Sequence, residues 1–214
     1  MQNKKQKLEL TWIGKEEQSK LEPRILIEDP AKGYGDKNSE NMLIFGDNLL
    51  ALKALEQDYA NKIKCVYIDP PFNTGQAFEH YDDGIEHSIW LNLMNQRLRL
   101  IYNLLSNEGV LWLHIDDSEL HYIKVLLDEI FGRNSFVIQI NWQRTSQRTV
   151  LGQGATPIIN IVEYILVYVK NSNNKNESLR KISKYFEADE KVFSQYSLLI
   201  ESEGTRQLHK TIEY

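Results

Sequence analysis

The amino-acid sequence predicts an α/β fold with a doubly wound, mostly parallel sheet and an antiparallel hairpin at one sheet edge. Between residues 42 and 131, short apolar runs alternate three times with longer amphipathic runs, as strands and helices do in such folds. The short runs are almost continuously apolar, which is typical of parallel strands covered by helices on both faces. After Arg133, two more apolar runs lack a crossover helix between them, so we expect them to pair antiparallel.

The first strand and helix are predicted between residues 42 and 59. The run MLIF is short and apolar, and DNLLALKALEQDY then places leucines at helical spacing. Either Asp47 or Asn48 stands where the helix needs an N-cap. Asp47 also follows a predicted strand, so it is equally a candidate for contact with a ligand at the end of the sheet.

The remaining elements follow the same alternation. IKCVYI is the second strand, and HSIWLNLMNQRLRLIYNLLSN is a long amphipathic helix closed by Gly109. VLWLHI is the third strand, and DSELHYIKVLLDEIF is the third helix, whose acidic start suits the helix dipole. Asp116 and Asp117 at that start either cap the helix or lie near a cleft. FVIQINW and YILVYVK are the two strands of the edge hairpin.

Composition divides the chain into three segments. Residues 1–40 are polar and are predicted to form an irregular arm. The alternating elements occupy residues 41–171, which we expect to carry the functional site. Residues 172–214 are highly charged and weakly periodic, and a helix is predicted between 177 and 202.

Charge limits how the chain can bind nucleic acid. Its 25 Lys and Arg residues against 30 Asp and Glu give a net charge of -5, so no overall basic field draws it to phosphates. Any DNA contact must therefore be local. Arg144 and Arg148, in the polar run WQRTSQR, are the candidates, with surface solvation as an equal alternative.

The single cysteine, Cys65, lies in an apolar run where we expect it to be buried. One cysteine indicates neither a disulfide framework nor a zinc cluster, and it favours a reducing, cytoplasmic compartment. No apolar stretch approaches the roughly 18 residues that a membrane helix needs. The histidines and acids of EHYDDGIEH fit no metal-ligand spacing, so neither membrane association nor a metal is predicted.

The run CVYIDPPF ends a strand with an acid, two prolines and an aromatic residue. In doubly wound sheets, ligands bind beyond the carboxyl ends of the strands, where Asp69 is predicted to lie. An isolated Asp-Pro pair often does no more than stop a strand. Pro70 and Pro71, however, have no N–H, so their carbonyls can face a ligand without a competing donor, and Phe72 adds a flat apolar surface.

Acceptors beside an aromatic surface suit an exocyclic amino group on a planar base, because its two N–H donors need two acceptors. Hydrogen bonds from an adenine amine to Asp69 and to the Pro70 carbonyl favour a more tetrahedral nitrogen. The carboxylate also stabilises the positive charge that develops when the nitrogen attacks an electrophile. Stacking on Phe72 is worth about 1–3 kcal/mol, as for single-stranded bases.

The turn continues with Asn73, Thr74 and Gly75. Glycine at position 75 permits backbone shapes that other residues avoid. We predict Asn73 and Thr74, together with Asp47, as contacts to a cofactor or to the base.

DPPF after an apolar strand resembles the catalytic motif of the DNA amino-methyltransferases. The blocks MLIFGDNLLALKAL, CVYIDPPFNTG, YDDGIEHSIWLNLM, HIDDSELHYIKVLLDEIFG and YILVYVKN are similar, in this order, to the Mod subunits of Type III restriction-modification systems. The resemblance implies the fold of S-adenosylmethionine-dependent methyltransferases. It also implies methyl transfer to adenine N6 of a flipped-out base, within a catalytic portion at residues 41–171.

The resemblance assigns roles residue by residue. Asp69 and Pro70 would hold the target amine, Pro71 completes the motif, and Phe72 would stack on the base. The implied partners are double-stranded DNA and either a restriction (Res) subunit or a second Mod copy. Cytosine N4 and adenine in RNA are the alternative targets. Cytosine enzymes of the family more often carry serine at the position of Asp69.

One part of the family pattern is missing from this sequence. The glycine-rich FxGxG loop that binds the cofactor is absent, and the pair formed by Gly152 and Gly154 is not preceded by the aromatic residue. We therefore expect the chain to be the N-terminal portion of a longer enzyme, with an incomplete fold. A non-catalytic module that binds DNA or a partner is the competing interpretation.

Overall fold

The computed structural model describes residues 9–16, 22, 24–33, 35–36, 39–73, 86–143 and 161–180, and the backbone of 181–186, 198–200 and 206–208. The chain divides into two compact units, Met1–Lys175 and Asn176–Tyr214. In the part of the chain that the structure describes, no helix has both the length and the apolar character needed to cross a membrane.

The first unit alternates helices and strands much as the sequence predicts. Its main elements in chain order are α1 (Asn48–Tyr59), β1 (Ile63–Ile68), α2 (His87–Leu104), β2 (Leu105–Ile115), α3 (Leu120–Phe131), β3 (Phe136–Gln143) and β4 (Val162–Val169). Short 3₁₀ turns lie at Pro30–Lys32, Arg133–Ser135 and Ser172–Asn174.

These four strands form one mixed sheet in the order β1-β2-β4-β3. β1 pairs parallel with β2, whereas β4 pairs antiparallel with both β2 and β3. The α/β class and the antiparallel edge hairpin are thus confirmed. Only one of the described pairings is parallel, because the second hairpin strand inserts next to β2 and leaves β3 at the edge.

The core lies on one face of this sheet. Leu111, Leu113 and Ile115 of β2 are fully buried and pack with the apolar stripes of α2 and α3 in a single cluster. The side chains of α1 pack against α2 and the edge of the same cluster. Among the described elements, α1 to α3 therefore cover one face, where the sequence led us to expect helices on both.

The opposite face carries exposed apolar side chains, including Tyr67, Ile138 and Trp142. We call this side of the sheet the open face. It consists of the alternate strand residues whose side chains lie on the same side as these three. Cys65 lies on it and is exposed, so the prediction that this residue is buried was wrong. Side chains alternate along β1, and the parity of Val66 and Ile68 places those two residues toward the helices instead.

The predicted strand at residues 42–45 does not form. This segment is irregular, and Leu43 and Phe45 are almost fully exposed. Strands need a neighbour to satisfy their backbone groups, and among the described residues only β2 pairs with β1. The helix that follows is confirmed, with Asp47 as its N-cap.

The boundary between α2 and β2 also differs from the prediction. α2 ends at Leu104 and β2 begins at Leu105, so Gly109 lies within the strand and does not close the helix. A Cβ atom at position 109 would lie 2.8 Å from the carbonyl oxygen of Ile63. The register shift between Ile63 and Cys65 occurs at this close approach.

The second unit contains most of α4 (Lys175–Phe186) and an antiparallel strand pair, β5 (Leu198–Ile200) and β6 (Arg206–Leu208). The helix predicted through residue 202 was therefore wrong at 198–200. The sequence ESEGT between the two strands is rich in turn-forming residues, a signal that the weak helical periodicity concealed.

Candidate active site

The Asp-Pro-Pro-Phe turn begins where β1 ends, beside the end of β2. Ile68 pairs with Leu113, and the next residue on each strand is Asp69 and His114. Asp69 Oδ1 lies 3.6 Å from His114 Nδ1, and the Asp69 side chain is 61% exposed. The motif therefore presents a solvent-accessible carboxylate at the carboxyl edge of the parallel pair.

His114 is a residue of this site that the sequence analysis missed. Its Nε2 lies 3.0 Å from Glu163 Oε2, and its Nδ1 lies 3.3 Å from the hydroxyl of Tyr67. Its ring meets Phe72 edge to face, with centroids 5.4 Å apart. The position of His114 at the end of a strand next to β1 was the available signal, but we applied it to Asp116 and Asp117.

The hydroxyl of Tyr67 is held in its protonated form. Partial desolvation raises the pKa of Tyr67, and the negative charges of Asp69 and Glu163 raise it further. The phenol and His114 Nδ1 lie within hydrogen-bonding distance, and the imidazole tautomer decides which of them donates. In the tautomer that carries its hydrogen on Nε2, Tyr67 donates to Nδ1 and Nε2 donates to Glu163.

Trp90 restricts which proline carbonyl can face a ligand. Its indole Nε1 donates a hydrogen bond to the Pro71 carbonyl at 2.8 Å, and its side chain is fully buried in the core. The expectation that both proline carbonyls are available was therefore wrong for Pro71. No donor among the described residues contacts the Pro70 carbonyl, so Asp69 and Pro70 supply the acceptors of the turn.

A second polar network fixes the far side of the turn. Asn73, with a positive φ of 60°, donates its Nδ2 hydrogen to Glu119 Oε1 at 2.8 Å. His87 Nδ1 lies 2.8 Å from the same oxygen, and its ring contacts Tyr122. Glu119 is 3% exposed, so a buried carboxylate ties the turn to the starts of α2 and α3.

The other predicted site residues lie in separate places. Asp47 accepts hydrogen bonds from the backbone N–H groups of Leu49 and Leu50, which is a capping role. Asp116 accepts from the backbone N–H of Ser118 in the turn before α3. The predicted contacts Thr74, Arg144 and Arg148 lie outside the described residues.

Within the ranges that the structure describes, no group of three or more His, Cys, Asp or Glu residues is arranged to hold a metal ion.

Comparison with known proteins places this turn in a family context. The family model N6_N4_Mtase, described as DNA methylase, matches residues 63–211. The Mod subunit of the probable type III restriction-modification enzyme HindVI from Haemophilus influenzae is 39% identical over 134 residues, which cover 62% of this chain and 18% of that protein. The EcoP15I Mod subunit from Escherichia coli is 32% identical over 203 residues, or 78% of this chain and 31% of that protein.

A shorter relative is covered more completely. The type II methyltransferase M.MjaVI from Methanocaldococcus jannaschii is 30% identical over 155 residues, which cover 66% of this chain and 76% of that protein. By contrast, the matched part of this chain spans only 18% to 31% of the length of the four similar Mod subunits.

Among solved structures, the cytosine-N4-specific PvuII DNA methyltransferase is 14% identical, with a TM-score of 0.40 over 57% of this chain and 47% of that one. That likeness is too low to bear on the site. The family model, by contrast, matches more than half of the sequence. The chain therefore belongs to the DNA methylases of the N6/N4 methyltransferase family.

Proposed function

We propose that the chain carries the catalytic turn of an adenine-N6 DNA methyltransferase of the Type III Mod kind, acting within a restriction-modification system. The observation that carries the proposal is the exposed Asp69 carboxylate, which lies beside the Pro70 carbonyl at the end of β1. Membership of the family and similarity to Mod subunits support the same reaction class.

The two acceptors match the two donors of an exocyclic amine. Asp69 accepts one N–H and the Pro70 carbonyl accepts the other, while the Pro71 carbonyl is engaged by Trp90. As the nitrogen bonds to the incoming methyl group it gains positive charge, which the Asp69 carboxylate stabilises. Phe72, half-buried and contacting the core, offers its ring for stacking on the base.

S-adenosylmethionine is the proposed methyl donor, and its sulfonium would supply the methyl group. Two predicted cofactor contacts already make hydrogen bonds within the chain, since Asp47 caps α1 and Asn73 binds Glu119. We therefore assign the cofactor no site among the described residues. Asp47, Asn73 and Thr74 stay predictions.

Double-stranded DNA is the proposed substrate. An amine inside a duplex cannot reach the turn, so the target base must leave the stack at a cost of a few kcal/mol. Arg144 and Arg148 are the proposed local contacts to phosphates or bases, as the net charge of -5 supplies no general attraction. A Res subunit or a second Mod copy is the proposed protein partner.

A non-catalytic DNA-binding or partner-binding module is the second candidate, because no FxGxG loop occurs in the 214 residues. Tritiated S-adenosylmethionine and duplex DNA separate the two functions when methyl incorporation and DNA binding are measured together. We expect transfer when the wild-type chain is combined with a chain that carries the FxGxG loop, and its loss when Asp69→Ala replaces the wild type in that mixture. The matched control Asp58→Ala, at an exposed carboxylate of α1, should retain it.

Near-normal transfer by Asp69→Ala would overturn the role of the turn. A wild-type chain that binds DNA yet transfers no methyl group, even with the loop-carrying chain present, would favour the module. Circular dichroism of each variant shows whether a loss of transfer reflects the site or the fold.

A further inference from the structure

A polar cluster lies on the open face directly beside the acceptor turn. Its members, which we call the His114 cluster, are Tyr67, Asp69, His114 and Glu163. The register places Tyr67 and His114 on the same face, and Glu163 reaches the imidazole from β4. The strands of three different sequence regions therefore converge on one ring.

The imidazole separates an exposed carboxylate from an enclosed one. The His114 side chain is 16% exposed and that of Glu163 is 11% exposed, whereas that of Asp69 is 61% exposed. Glu163 binds Nε2 at 3.0 Å, and Nδ1 lies 3.6 Å from Asp69. One ring nitrogen faces Glu163, and the other faces both the Tyr67 hydroxyl and the carboxylate that the proposed function uses.

Methyl transfer requires a proton to leave the amine. When the nitrogen bonds to the methyl carbon, the electron pair of the broken carbon–sulfur bond stays on sulfur and the nitrogen becomes positively charged. One N–H proton must then depart to restore a neutral methylamino group. The nearest base is the carboxylate that already accepts that hydrogen bond.

We propose that His114 is a positioning residue that acts through Asp69, accepting at Nδ1 the proton that the carboxylate removes from the methylated amine. The inference rests on the proposed function. The imidazolium formed lies between two carboxylates, Asp69 and Glu163, which stabilise its charge. The 3.6 Å separation needs a small rotation of Asp69, and such contacts commonly tighten once substrate is bound.

The His114 ring also contacts Phe72. The edge of the imidazole lies against Phe72, the residue proposed to stack on the base. His114 therefore fixes both the carboxylate and the aromatic surface relative to each other. The titratable groups that face it from neighbouring elements are Tyr67, Asp69 and Glu163.

His114→Gln tests the proposal, because the amide can still donate to Glu163 but cannot take up a proton. The matched control is His121→Gln on the exposed surface of α3. We expect the single-turnover rate constant of methyl transfer to fall at least about tenfold in His114→Gln, with the KM for DNA within about twofold of the wild type. The wild-type rate constant of methyl transfer should also fall on acidification, because an imidazole that is already protonated cannot accept the proton. This fall should be smaller in His114→Gln and unchanged in His121→Gln.

A readout independent of activity is the imidazole tautomer. Nitrogen-15 NMR of the histidine-labelled chain should show Nε2 protonated and Nδ1 unprotonated for the His114 signal at neutral pH. The signal is assigned by its absence in His114→Gln.

A protonated Nδ1, or equal transfer rates in the two glutamine variants, overturns the proposal. So does a rate loss that a lower Tm explains. A wild type without transfer in the presence of the chain that carries the FxGxG loop overturns the proposed function and this inference together, whereas an active wild type with an equally active His114→Gln overturns only the inference.

Discussion

At the scale of single residues, the turn shows what local sequence can and cannot predict. Asp69 and Phe72 were identified because proline chemistry and the end of a strand are visible in a few consecutive letters. His114 and the bond from Trp90 to Pro71 were missed because both depend on contacts between distant segments. The sequence marks the strand end at His114, but it does not specify the contacts of His114 or of Trp90.

Phe72→Ala tests the stacking role. We expect weaker retention of a flipped base, because stacking contributes about 1–3 kcal/mol, while overall affinity for DNA changes less. The measurement is 2-aminopurine fluorescence at the mapped target position. Phe45→Ala, at an almost fully exposed phenylalanine, is the control and should leave the signal unchanged. An unaltered flipping signal in Phe72→Ala would count against the stacking role.

Tyr168 gives a prediction about stability and pH. Burial raises its pKa well above the usual range, and its hydrogen bond to Asp128 at 2.6 Å raises it further. Because the folded pKa is raised, this contribution to the free energy of unfolding is complete below about pH 10, the ordinary tyrosine value, and declines above it. The folded state keeps its proton there while the unfolded state loses it.

We therefore expect Tyr168→Phe to lower the free energy of unfolding by about 1 kcal/mol near neutral pH, with the gap to wild type narrowing above about pH 10. Urea unfolding at several pH values measures this gap. A gap that widens in alkali would contradict the sign of the argument.

At the scale of elements, periodicity identified α1 to α3 and β1 to β4 of the first unit, and it also predicted a strand at 42–45 that does not form. The apolar stripes that periodicity detects are buried in α2, α3, β2 and β4, whereas α1, β1 and β3 contribute partly buried side chains to the same cluster. The boundary at Leu104 was missed, since it depends on how β2 pairs with β1 and not on α2 alone. The strand pair of the second unit was missed because short strands leave little periodic signal.

Gly109→Ala tests the close approach of β1 and β2. The added methyl group would lie 2.8 Å from the Ile63 carbonyl oxygen, so one strand must shift. We expect the free energy of unfolding to fall by about 1–3 kcal/mol, the usual cost of overpacking. Gly33→Ala, whose Cβ would have an ordinary contact of 3.5 Å, should be nearly neutral by the same denaturant measurement. Equal stability of the two variants would contradict the proposed clash.

At the scale of the whole molecule, the sheet order β1-β2-β4-β3 was not predictable from the sequence. Alternation of strands and helices is compatible with several orders, and the choice depends on pairings between distant strands. The open face was not predictable either. It is exposed because no described helix packs on the side of Cys65 and Tyr67.

The single cysteine reports directly on this face. We expect Cys65 in the folded chain to react with a maleimide to completion without denaturant. The reaction should be slower than that of a free thiol, because partial desolvation raises the pKa of Cys65 and lowers its thiolate fraction. Mass spectrometry of the labelled chain gives the extent. Labelling that requires denaturant would contradict the exposure of the open face.

The central claim is that the turn at residues 69–72 holds the amino group of adenine for methylation. Its most direct test is mass spectrometry of nucleosides from duplex DNA. The DNA is incubated with S-adenosylmethionine, a chain that carries the FxGxG loop, and either the wild-type chain or Asp69→Asn, which keeps the shape of the side chain and removes its charge. The account predicts N6-methyladenine with the wild type and none with the variant. N4-methylcytosine as the product, or equal N6-methyladenine from both proteins, would contradict it.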